Sequence, residues 1–217
     1  MVRSIQQKVY LYIEFGTFFF GIPLLLLFEG DLMHPSSVLL PLMLLVFASL
    51  HFLTGFRWKE LWYFPIKRNT LFKHLGIAVM VSVLMIAWVY SFDRSNLFNL
   101  PFGNWKVWLI LSTFYPIFSA SLQEIIFRTF IFCRYEKLMG NEHLIILLSA
   151  VAFSFAHIFY FHLVSLLLTF ILGLYLGWIY ARMRSVLFTA ILHSIYGNMV
   201  FTIGMGQYFW LDMFKWI

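Results

Sequence analysis

The 217-residue chain is 62% hydrophobic and only 11% charged, against about a quarter charged in soluble domains, which excludes a soluble fold. Its net charge of +6 comes from basic residues scattered between apolar stretches, a pattern of membrane orientation and not of nucleic-acid binding. The single cysteine, Cys133, excludes an intrachain disulfide and a cysteine-based metal cluster; it is expected as a buried packing residue. Because roughly 20 residues cross a hydrocarbon core about 30 Å thick, the length accommodates about seven to eight spans and no separate soluble domain. The expected fold is all-α, a polytopic transmembrane helical bundle forming one integral membrane domain over 1–217, with N-terminal spans in 1–104 and the chemistry-bearing spans in 105–206.

In chain order, the first apolar stretch, 9–28, follows Arg3 and Lys8 as a signal peptide would. It lacks a small-x-small cleavage site and runs into Glu29-Gly30-Asp31, so a retained span is expected. The second is 37–56. Between 55 and 72, Trp58, Leu61, Trp62, Tyr63 and Phe64 interleave with Arg57, Lys59, Lys67 and Arg68, which suits either an amphipathic turn on the inner leaflet or a loop carrying aromatic-belt residues. Five further stretches lie at 75–92, 107–132, 143–161, 163–181 and 186–205. The connections on alternate sides hold eleven Lys and Arg against three, which by the positive-inside rule puts the N-terminus in the cytoplasm and the C-terminus outside.

Ionisable groups within spans cost at least ~2.5–3.5 kcal/mol each at the helix centre, so each asks for a partner or a task. Glu14 and His51 lie six residues from Lys8 and Arg57 and are expected to snorkel or pair near the inner face. The fourth span carries Gln123, Glu124 and Arg128, the fifth His157, and the seventh His193 and Asn198. On a helix Glu124 and Arg128 share a face, so the arginine can pair with the carboxylate, in a structural ion pair or in a working site. At about 1.5 Å per residue from the cytoplasmic end of each span, Glu124 lies roughly 15 Å deep, His157 roughly 21 Å and His193 roughly 13 Å. Three spans thus bring a carboxylate and two imidazoles toward one layer. A carboxylate in an apolar pocket is a candidate base for water, and imidazoles can donate to a developing oxyanion, so the set suits amide hydrolysis. It is equally a zinc-type ligand set, but no His-Glu-x-x-His segment is present; the metal-free reading is preferred, with no cofactor.

These residues resemble the motifs of the CAAX prenyl protease 2 and bacteriocin-processing family (CPBP or ABI) of intramembrane peptidases. That family carries Glu-Glu-x-x-x-Arg, Phe-x-x-x-His and His-x-x-x-Asn on successive spans. Here they read Gln123-Glu124-Ile125-Ile126-Phe127-Arg128, Phe153-Ser154-Phe155-Ala156-His157 and His193-Ser194-Ile195-Tyr196-Gly197-Asn198. The resemblance covers about residues 105–206, and its wording is that of a bacterial branch with Gln-Glu in the first motif. It implies a multi-pass protein of the cell membrane, by that branch the bacterial inner membrane, that cleaves a membrane-associated peptide or protein, with Glu124, Arg128, His157, His193 and Asn198 in the site and Phe127 and Phe153 as walls.

Two departures stand out. The first family glutamate, usually the water activator, corresponds to Gln123, which cannot take up a proton at neutral pH. Glu124 can replace it only if the fourth helix is rotated or locally distorted, and Pro116 could introduce such a distortion. Asn198 comes one residue late, with Gly197 at the family position, which turns its side chain off the His193 face. His162 is expected at the outer interface. Gly173 and Gly177 read as a small-x-x-x-small packing face. The leading reading is a peptidase with Glu124 as base; the alternatives are a non-catalytic scaffold or immunity-type binding protein, and, less favoured, an ion transporter, for which broken helix pairs are lacking.

Overall fold

The computed structural model describes residues 4–28 and 35–209. Along the chain run α1 (Ile5–Gly16), a π-helical turn (Thr17–Gly21), α2 (Ile22–Phe28), α3 (Pro35–Ser49) and a second π turn (Leu50–Thr54). A 3-10 turn (Trp58–Trp62) leads to α4 (Arg68–Phe92) and the short α5 (Asn99–Gly103). Then come α6 (Trp105–Tyr115), a π turn (Pro116–Ala120), α7 (Ser121–Glu124), another π turn (Ile125–Phe130) and α8 (Ile131–Met139). The last three long helices are α9 (Glu142–Phe155), α10 (Leu163–Met183) and α11 (Val186–Ile203). No strand occurs among the described residues.

The chain is therefore a polytopic all-helical membrane protein. Six stretches of the described residues are long and apolar enough to cross a bilayer: Ile5–Leu25, Arg68–Phe92, Trp105–Met139, Glu142–Tyr160, Leu163–Met183 and Val186–Ile203. A shorter apolar helix, Pro41–Thr54, stands where the second of the seven expected spans falls. Where an interfacial segment was in question at 55–72, the chain makes one 3-10 turn and α4 starts at Arg68.

Contacts divide the chain into two compact units, residues 1–58 with 125–181 and residues 59–124 with 182–217. In the first, the N-cap Ser4 and Gln7 form a capping box that starts α1. Phe15 and Phe19 pack against Tyr135 and Phe130. Glu14 accepts two hydrogen bonds from Arg134, at 2.9 and 2.8 Å, and one from the Tyr135 hydroxyl at 2.6 Å. Glu14 is thus paired, as its proximity to the basic inner end predicts, and His51 accepts from Trp58 Nε1 at 3.2 Å. The two-glycine face of α10 packs on α9: a Cβ added at Gly173 would lie 2.9 Å from Ala150 Cα, and one at Gly177 would lie 3.3 Å from Ile146 Cγ2. Cys133 is exposed, which corrects the expected burial; hydrocarbon solvates an apolar thiol as well as a protein core does, so hydrophobicity alone does not turn it inward.

The second unit contains α4 to α7 and α11. α11 starts where Ser185 Oγ accepts from Phe188 N at 3.2 Å, while the same hydroxyl donates to the Tyr63 carbonyl at 2.6 Å. It ends at Gly204, whose φ of +110° suits glycine and whose Cβ position is taken up by the Asn96 carbonyl. Trp108 Nε1 donates to Thr202 at 2.9 Å and ties α6 to α11.

Candidate active site

Because α11 runs unbroken from Val186 to Ile203, residues 193, 197 and 201 fall on one face and residue 198 is turned away by about 100°. The structure conforms to this geometry. Asn198 Nδ2 donates to the carbonyl of Ser112 on α6 at 3.2 Å. That carbonyl is the one for which Pro116, lacking an N–H, cannot act as the helical donor. Asn198 therefore supplies a donor at the position where Pro116 withholds one.

Downstream of Pro116 the helix widens into the π turn Pro116–Ala120, and Ser121 Oγ donates to the Pro116 carbonyl at 2.7 Å. A π turn inserts about one extra residue and so rotates the downstream residues by roughly one residue's 100°. This is the distortion that the Gln123-Glu124 wording requires. Gln123 Nε2 accordingly bonds Ser119 Oγ at 2.8 Å, while Glu124 Oε1 lies 2.9 Å from Nδ1 of His193. Glu124 is fully buried and His193 is 2% exposed. The second unit thus brings together two of the predicted site residues, 69 positions apart in sequence, as a buried carboxylate–imidazole pair.

One residue beside this pair was missed in the sequence. Tyr115, the last residue of α6, meets the His193 ring edge to face, with centroids 6.0 Å apart and planes at 75°. Gly197 is the signal that could have found it: a glycine one turn from a site histidine, on the same face, leaves room for a side chain from another helix.

The first unit holds the remaining predicted residues around one aromatic ring. Arg128 is fully buried; its Nη1 donates to Ser149 Oγ at 3.3 Å, and that hydroxyl donates to the Phe127 carbonyl at 2.6 Å. The guanidinium lies over the Phe153 ring, 4.9 Å from its centroid. Phe127 meets the same ring at 5.3 Å. His157 Nδ1 bonds the Phe153 carbonyl at 2.7 Å, and its ring centroid is 4.8 Å from that of Phe153. α9 ends at Phe155, so His157 lies in the turn after the helix instead of within it, because its ring takes over the last-turn carbonyl of Phe153. His162 accepts from Val164 N at 3.1 Å and starts α10, a capping role that its place after the fifth span did not disclose.

Among the described residues, no group of three His, Cys, Asp or Glu is arranged to hold a metal ion. The three motifs resemble those of membrane-embedded proteases of CAAX type, and the comparison with protein families agrees. Residues 103–199 match a family described as type II CAAX prenyl endopeptidase Rce1-like, which confirms the resemblance carried by the three motifs. Neither the curated proteins nor the solved structures gave a match.

Proposed function

We propose that the chain is an intramembrane endopeptidase in which Glu124 is the general base, hydrolysing a peptide bond in a prenylated or otherwise membrane-associated substrate. The observation that carries this reading is the buried 2.9 Å pair of Glu124 and His193 inside the Rce1-like segment. A buried carboxylate held by an imidazole is placed to act as a base toward water. Water gives its proton to Glu124 as its oxygen bonds to the carbonyl carbon, and the proton is then delivered to the amine nitrogen as the C–N bond breaks. His193 orients Glu124 through Nδ1 and stabilises the charge that passes through the pair. By the resemblance, Arg128 and His157 are further residues of the reaction, roles that the motifs alone assign. Asn198 serves the reaction through Ser112, by fixing α6. The reaction needs no cofactor in this reading, and the site is of glutamic type.

The test is cleavage of a prenylated CAAX peptide by protein purified into liposomes. Glu124→Gln should reduce turnover by at least about 10²-fold, as loss of a general base does, with the folded yield unchanged; Gln123→Glu should retain cleavage. Activity should survive strong chelation. Full cleavage by Glu124→Gln would remove the glutamic reading, and stoichiometric zinc lost together with activity would move the enzyme to the metallopeptidases.

A further inference from the structure

The Tyr115 side chain lies along the 193–197–201 face of α11. The Tyr115 ring meets His193 at one end, and at the other it meets Phe201 with centroids 5.5 Å apart and planes at 77°. Between these two contacts it fills the room over Gly197. A Cβ added there would overlap Tyr115 Cε1, Cζ and Oη, so the hydroxyl end of the phenol, and not only its ring, stands at the level of residue 197. That level is one helical turn from His193, whose Nδ1 is bonded to Glu124. A phenylalanine would make the same two edge contacts. What the tyrosine adds is an O–H donor at the level of Gly197, one turn from His193.

The placement depends on three features of the sequence acting together. Gly197 lacks the side chain that would evict the phenol. Asn198 bonds Ser112, three residues before Tyr115 on α6, and so fixes the height of the helix end that carries the ring. Pro116 ends α6 immediately after Tyr115. In the resembling motif an asparagine occupies the position of Gly197; here a donor reaches the same space from a different helix.

We propose that Tyr115 is a catalytic hydrogen-bond donor: its hydroxyl, set in the space that Gly197 leaves one turn from His193, binds the substrate carbonyl oxygen as that oxygen becomes an oxyanion. The proposal rests on the peptidase reading above. As water attacks the carbonyl carbon, the C=O pair moves onto oxygen and the Tyr115 O–H meets the new charge. When the tetrahedral species collapses, that pair re-forms C=O, the C–N bond breaks, and the amine nitrogen takes the proton. Tyr115 keeps its own proton throughout.

An internally quenched farnesylated peptide with a C-terminal CAAX sequence is the probe, used with purified protein in liposomes. Tyr115→Phe should lower kcat by about 10²-fold with KM little changed, the scale of losing one oxyanion donor. Gly197→Ala, which displaces the ring, should also lower kcat. Tyr115→Ala should be rescued in part by Gly197→Asn in the same chain, because the amide then supplies the donor. Unchanged kcat in Tyr115→Phe while Glu124→Gln is inactive overturns the assignment of Tyr115 and leaves the peptidase intact. A change confined to KM also overturns it, since it makes Tyr115 a substrate wall. Full cleavage by both variants, or none by the unaltered protein, defeats the peptidase reading itself. Where Tyr115→Phe fails to fold, the double variant decides, and no recovery over Tyr115→Ala rejects the donor role.

Discussion

At the scale of single residues, the second unit is arranged around a backbone defect. Pro116 withholds one N–H from the helical ladder, and Asn198 supplies a donor from α11 to the carbonyl concerned, Ser112, at 3.2 Å. Removing the donor from a partly buried carbonyl costs about 1–3 kcal/mol, so Asn198→Ala should lower the midpoint of thermal unfolding in detergent. The same substitution made in Pro116→Ala should cost less, because alanine returns the N–H. A double-mutant cycle measures the difference. Equal costs in the two backgrounds would show that Asn198 does not serve this carbonyl, and a loss of kcat without any loss of stability would return it to the catalytic set that the motif implies. The motif wording singles out Glu124, His193 and Asn198, whose side chains all make specific long-range bonds. It did not disclose their partners. Tyr115 and Ser112 carry no signature of their own, and only the packing of α6 on α11 brings them to those side chains.

Among the elements, the helices themselves were legible because hydropathy reports where hydrocarbon solvates the chain. Their breaks were less so. Pro116 announced one distortion, but the π turns at Thr17–Gly21, Leu50–Thr54 and Ile125–Phe130 have no comparable local cause. The end of α9 at Phe155 was hidden because Ala156, Ile158 and Phe159 continue the apolar stretch on either side of His157. Burial within a span was equally hidden, as Cys133 shows, since lipid and core select the same residues. Gly173 and Gly177 were legible, because two small residues at helical spacing have a direct packing consequence. The two are not equivalent. A Cβ at Gly173 meets the backbone of Ala150, which cannot move aside, whereas a Cβ at Gly177 first meets the methyl end of Ile146. Overpacking of this kind typically costs about 1–3 kcal/mol. Gly173→Ala should therefore lower thermal stability in detergent by clearly more than Gly177→Ala does. A larger loss at Gly177 would contradict the close approach of α9 and α10.

For the whole molecule, the question of how many helices cross the membrane decides which side each terminus occupies. Six stretches of the described residues qualify by length and hydropathy, and the helix Pro41–Thr54 is shorter. If that helix crosses as well, the number is odd and the termini lie on opposite sides; if it does not, they lie on the same side. The distribution of charge argues for the odd number. Eleven of the Lys and Arg residues outside the spans fall on one side under the seven-span reading and three on the other, a bias that would be broken after the second stretch if it failed to cross. Arg134 adds a local argument, because its ion pair with Glu14 at 2.8 Å satisfies both charges close to the end assigned to the cytoplasm, where a single exposed charge would otherwise have to snorkel. A reporter fused after Ile217 should therefore be active only on the extracytoplasmic side, and one inserted at Arg184 only in the cytoplasm. Activity of the Ile217 fusion in the cytoplasm, with the Arg184 fusion unchanged, would mean that α11 turns back without crossing. Reversal of both would mean either that Pro41–Thr54 lies in one leaflet or that all seven helices cross in the opposite sense, and in either case it would invert the depths assigned to Glu124 and His193.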